Sequence, residues 1–151
     1  MDSETRQTLF RFFNEVGIIA QLSRTAMEAR LPKGLTLPHF SVINHLVRVS
    51  DGQTPLTLAR AFQVPKTTMT HTLAGLLEHG FVEMRPNPND GRSKTVWLTD
   101  RGRRFREEAI RLIDPDMDAL KDHVPPERIA ALLPALAEIR AFMDAYRDET
   151  D

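Results

Sequence analysis

Thr54-Pro55-Leu56-Thr57-Leu58-Ala59-Arg60-Ala61-Phe62-Gln63-Val64-Pro65-Lys66-Thr67-Thr68-Met69-Thr70-His71-Thr72-Leu73-Ala74-Gly75-Leu76-Leu77-Glu78-His79-Gly80 is the stretch that decides how this chain folds. Thr54 suits an N-cap and Pro55 a first helical position, where the amide that proline lacks has no intrahelical partner. A short helix therefore runs to Phe62, and Gln63-Val64-Pro65 turns the chain tightly into a longer helix, Lys66 to His79. Gly80 closes that helix as a left-handed cap. On the longer helix Met69, Leu73, Leu76 and Leu77 recur at helical spacing and are expected to face the core. Lys66, Thr67, Thr68, Thr70 and His71 fall on the other side. They form a cluster of small donors and acceptors with one cation, at the end of the helix where free amides also attract phosphate. The competing reading is a solvated, threonine-rich face, but threonine is a middling helix former and so many in two turns need a further reason.

Beyond Gly80 the period changes from helical to alternating. Phe81-Val82-Glu83-Met84-Arg85 and Ser93-Lys94-Thr95-Val96-Trp97-Leu98 read as strands, and Pro86-Asn87-Pro88-Asn89-Asp90-Gly91-Arg92 between them is loop chemistry. Short helix, turn, longer helix, glycine cap and hairpin together describe a winged helix-turn-helix. At the hairpin tip Arg92 and Lys94 lie two residues apart and are expected on one side of an extended segment. Asp90 is positioned to orient the Arg92 guanidinium. An oriented arginine on a protruding tip suits a narrow minor groove, with Lys94 on the phosphate backbone.

Outside this region the pattern is helical. Residues 5–30 read as one amphipathic helix with Leu9, Phe10, Phe12, Phe13, Val16, Ile19 and Leu22 on its apolar stripe, stopped by Leu31-Pro32-Lys33-Gly34. Thr36 or Leu37 opens a helix that tolerates Pro38 in its first turn and runs to Val49, and Ser50-Asp51-Gly52-Gln53 is a turn cluster. Residues 99–123 connect onward, with a break expected near Asp114 because Pro115 follows. Residues 126–148 form a last helix carrying Ile129, Leu132, Leu133, Leu136, Ile139, Phe142, Met143 and Tyr146, with Pro134 placed to kink it. The fold expected is mainly α with a small β wing. It is one domain over residues 1–151, with a winged helix-turn-helix at 37–98 flanked by dimerisation helices at 5–30 and 126–148. The terminal helices carry more apolar surface than so small a head has room to cover.

Composition narrows the function. The net charge is −1, yet residues 66–106 hold eight Lys/Arg against four Asp/Glu, while residues 107–151 hold five against twelve. A basic middle and an acidic end suit a protein that meets a polyanion with one face. With no cysteine, thiolate metal sites and disulfides are excluded. The five histidines include no His-x-x-x-His pair, and no carboxylate cluster accompanies them, so no metal is expected. No Gly-x-Ser-x-Gly, Walker or Rossmann pattern is present, so neither an enzyme nor a cofactor is expected. No secretory signal or membrane span is read, and a cytoplasmic location is the default.

Leu56-Thr57-Leu58-Ala59, Val64-Pro65-Lys66-Thr67-Thr68-Met69-Thr70, Leu76-Leu77-Glu78-His79-Gly80-Phe81-Val82, Asp90-Gly91-Arg92-Ser93-Lys94 and Val96-Trp97-Leu98-Thr99-Asp100-Arg101-Gly102 together resemble the MarR-type (multiple-antibiotic-resistance regulator) transcription factors. The match covers residues 54–102. Pro65 departs from it, standing where many members place a capping serine. The resemblance implies a homodimer with interlocked terminal helices that binds a pseudo-palindromic operator on double-stranded DNA and acts as a repressor. Its contacts would come from Lys66, Thr67, Thr68, Thr70, His71, Asp90, Arg92 and Lys94. It also implies a ligand pocket between the dimer helices and the head, where Phe12, Phe13, His39, Phe40 and His45 are candidates to line a site for a small aromatic or phenolic effector. The alternative is a winged-helix module that binds a protein partner and no DNA.

Overall fold

The computed structural model describes residues 1–150, with side chains as far as Asp148. The chain divides into two compact units, Met1–Ile113 and the residues from Asp114 onward. In the first, α1 (Ser3–Glu28) is followed by α2 (Leu37–Arg48), α3 (Pro55–Ala61), α4 (Lys66–Glu78), the strands β1 (Val82–Pro86) and β2 (Lys94–Leu98), and α5 (Asp100–Leu112). The second holds α6 (Asp114–His123) and α7 (Pro126–Thr150).

Side-chain oxygens begin three of these helices by accepting an otherwise unpartnered amide. Asp2 accepts from Thr5 N at 2.8 Å, Thr54 from Thr57 N at 3.2 Å, and Thr99 from Gly102 N at 3.0 Å. The expected glycine cap of α4 is a full Schellman turn. Gly80 takes φ +68, its amide bonds Leu77 O and the Phe81 amide bonds Leu76 O, each at 2.9 Å. Gln63 holds the turn between α3 and α4 at φ +53, a left-handed conformation that nothing in its residue type announced.

Ile43 and Leu46 of α2, Leu58 of α3, Leu76 of α4 and Val96 of β2 are the largest side chains sealed in the core, together with Val42. The core extends to Met27 at the end of α1 and to Phe105 and Ala109 on α5. Phe81 stacks on Phe105 with ring centroids 4.4 Å apart, and the His79 ring lies 5.5 Å from it. Among the described residues, every buried one lies between Met27 and Ala109. One assignment of the core face of α4 is corrected: Leu77 is 40% exposed and Thr72 is buried in its place. The Thr72 hydroxyl donates to Thr68 O at 3.2 Å, which lets a polar side chain enter the core satisfied.

The hairpin pairs Val82 with Leu98, Met84 with Val96 and Pro86 with Lys94, antiparallel. The connecting segment 99–123 is two helices, parted at Ile113 as the proline after Asp114 requires. In the second unit α7 is helical through Pro134, and no side chain of α6 or of α7 as far as Asp148 is buried.

Candidate nucleic-acid interface

Burial of Met69, Leu73 and Leu76 turns the rest of α4 outward. Lys66, Thr67, Thr68, Thr70 and His71 are all exposed. Thr70 bonds back to Lys66 O at 2.9 Å, so its hydroxyl is already turned toward its own helix. Pro65 is the N-cap and supplies no side-chain bond, which leaves the first amides of α4 without that partner.

The wing is rooted by a contact the sequence did not display. Gln53 forms a bridge with Val96: Val96 N donates to Gln53 O at 2.8 Å and Gly52 N to Val96 O at 3.0 Å. The turn before α3 thus acts as a third short strand beside β2. Asp51 locks it, its Oδ1 accepting from Leu98 N and Gly52 N at 3.0 Å and its Oδ2 from the Arg103 guanidinium at 3.0 Å. Trp97 lies over Gly52, where a Cβ would meet its ring at 2.5 Å. Only glycine takes that close approach and the φ of +73 together. Arg85, held by Glu83 at 2.7 Å, covers the Trp97 ring at 4.6 Å.

At the tip the expected role of Asp90 is corrected. Its Oδ1 accepts from the backbone amide of Arg92 at 2.9 Å and not from the guanidinium. Aspartate is short and finds its own chain two residues on before it can reach a long side chain. Asp90 therefore shapes the turn, and Arg92 is exposed with no side-chain partner among the described residues. Arg92 also sits in the turn, outside β2, so strand alternation does not relate it to Lys94, which is exposed at the first position of the strand.

The five residues expected to line an effector cleft are dispersed in their roles. Phe12 and Phe13 meet edge to face on α1, with centroids 5.2 Å apart. Phe40 packs against the core. His39 reaches back to Thr36 at the start of α2, and His45 lies 3.3 Å from Gln53 Oε1 with its ring 5.3 Å from Phe62. Burial, and then the nearby His79 and His71, push His39 below the ordinary histidine value. A cavity of about 220 Å³ does open beside α4, but its walls are others: Leu37, Val42, Phe62, Val64 and Met69, with Arg24, Ser41, Thr68 and Thr72 as polar members.

A two-helix turn with an exposed second helix, followed by a rooted hairpin with exposed cations at its tip, defines a winged helix-turn-helix protein. A family model described as MarR family matches residues 33–93. The chain is 29% identical over 129 residues to the multiple antibiotic resistance protein MarR of Escherichia coli strain K12, covering 80% of this chain and 89% of that one. Among solved structures it resembles wild-type MarR from E. coli, with a TM-score of 0.70 at 26% identity over 83% of this chain and 93% of the other. The transcriptional regulator BldR from Sulfolobus solfataricus shares the fold, with a TM-score of 0.74 at 20% identity over 93% of this chain and 99% of that one. In sequence and in fold the chain is similar to the winged-helix transcriptional regulators of the MarR family. No described helix is long and apolar enough to cross a membrane.

Proposed function

We propose that two copies of this chain bind a pseudo-palindromic operator, each placing α4 in the major groove and its wing in the minor groove, and so repress transcription. The observation that carries this reading is the pairing of an exposed polar face, Lys66, Thr67, Thr68, Thr70 and His71, with a wing tip whose Arg92 guanidinium has no partner among the described residues. Dimerisation is favoured by the terminal helices. Phe10, Ile19 and Leu22 on α1 are 69%, 63% and 64% exposed, and Leu132, Phe142 and Tyr146 on α7 are 59%, 67% and 59% exposed. Apolar faces of this extent call for a cover, and a two-fold interface covers both copies alike. Half-sites would then lie about 10–10.5 base pairs apart, or a multiple of that.

Salt titration of duplex binding tests the proposal, since log affinity should fall with log salt at a slope of about −0.9 per phosphate contacted. Arg92→Ala should weaken binding by about 1–3 kcal/mol and leave the melting temperature unchanged. A salt-insensitive interaction, or unchanged affinity in that variant, contradicts it and favours the protein-interaction module.

The cavity beside α4 favours a second element, a small aromatic acid as effector. Its walls are apolar, the Arg24 guanidinium is the one cation among them, and Thr68 and Met69 belong to the proposed reading helix. A ligand there would bias how α4 sits and so couple to DNA affinity. Calorimetry with a panel of phenolic and benzoic acids should give saturable binding and a matching loss of operator affinity. Absence of both contradicts it.

A further inference from the structure

We propose that His39 is an acid-released positioning residue for the recognition helix: neutral, it closes the first turn of α2 and fills a notch in α4, and protonated it cannot keep both contacts. Thr36 is the N-cap of α2 and His39 the third helical residue. In the familiar capping box that third position holds Glu or Gln, whose oxygen accepts the N-cap amide. Here the imidazole takes that place. Its Nδ1 accepts from Thr36 N at 3.0 Å and lies 2.9 Å from Thr36 Oγ1. A glutamine accepts at any pH, whereas an imidazole accepts only while that nitrogen is bare. The backbone donor therefore places the neutral ring's proton on Nε2.

That second edge faces α4. A Cβ on Gly75 would sit 2.5 Å from Nε2 and 3.2 Å from Cδ2 of His39. Glycine inside a helix costs about 1 kcal/mol against alanine, and here it makes room for the ring. One side chain thus joins the start of α2 to the middle of the proposed reading helix. The groups facing it are cationic when charged: His79 and His71, both from α4. The acid at this end of α2 is Glu28 of α1, which accepts from Leu37 N at 3.2 Å and pairs with Arg24 at 3.5 Å. No carboxylate bonds His39 itself among the described residues.

The direction follows. Burial and the two histidines lower the folded value, so the unfolded chain takes up the proton first, near 6.5. The contribution of His39 is complete above that pH and is lost as pH falls below it. The part of the proposal that concerns α4 rests on the DNA-binding reading above, whereas the cap does not.

The test compares wild type, His39→Gln, which keeps an acceptor without titrating, and His39→Ala, at pH 7.5 and 5.5. Melting temperature, duplex affinity and the histidine ¹⁵N spectrum are read for each. On acidification wild type should lose about 2–4 °C more than His39→Gln. His39→Ala should melt lower than His39→Gln at both pH values. The affinity ratio of His39→Gln to wild type should rise about fivefold on acidification, with His71, common to both, cancelling. Parallel melting profiles for wild type and glutamine, or a neutral His39 protonated on Nδ1, overturn the proposal. Diverging melts with a constant affinity ratio overturn the role in positioning α4. Diverging melts with no duplex bound by any variant leave the cap standing and overturn the DNA-binding reading instead.

Discussion

Leu46 on α2 and Phe142 on α7 both belong to apolar stripes at helical spacing, yet the first is 2% exposed and the second 67%. The same contrast separates whole regions. Every buried apolar residue described lies from Met27 to Ala109, while α1 before Met27 and α7 as far as Asp148 bury none. Periodicity states which face of a helix seeks cover and is silent on who supplies it. The head is self-sufficient and the ends are not. The head should therefore respond to core mutations as a folded unit, and the ends through assembly.

The largest effect expected is on assembly. Phe13→Asp or Phe142→Asp should convert a two-chain particle to one chain in sedimentation equilibrium. Operator affinity should fall about 10²–10⁴-fold, because one head then acts without its tethered neighbour. Unchanged mass would mean that these faces are covered in some other way. Next comes the interior of the head. Leu76→Ala should cost about 2–5 kcal/mol in urea unfolding, whereas its neighbour Leu77→Ala should stay within about 0.5 kcal/mol. Equal costs would erase the distinction between the two faces of α4. A smaller loss, about 1–3 kcal/mol, is expected for Asp51→Ala, with faster amide exchange at Leu98, since that variant strips the bond rooting the wing. An unaltered Leu98 amide would show the wing to be held by the Gln53 bridge alone.

What could be read from the residues followed local rules. Thr54 and Pro55 mark a helix start through contacts within three residues, and Gly80 marks an end, so each was legible. Asp51 was not, because Leu98 lies 47 positions away and nothing in a turn cluster names so distant a partner. Leu77 and Thr72 changed places because Leu77 falls at the margin of the buried face, while Thr72 lies inside it and satisfies its hydroxyl on its own helix. Asp90 reached its near backbone and not the guanidinium. The exposure of Lys66, Thr67, Thr68, Thr70 and His71 on α4 was legible. The cavity was not, for its walls come from α1, α2, the turn after α3 and α4, which only the fold brings together.

Selection from random duplexes by the purified chain decides whether its recognition helices and wings read DNA as a symmetric pair. An inverted repeat whose half-sites are about one helical turn apart should be enriched. No enrichment, or a single motif without two-fold symmetry, would contradict a paired set of recognition helices and wings.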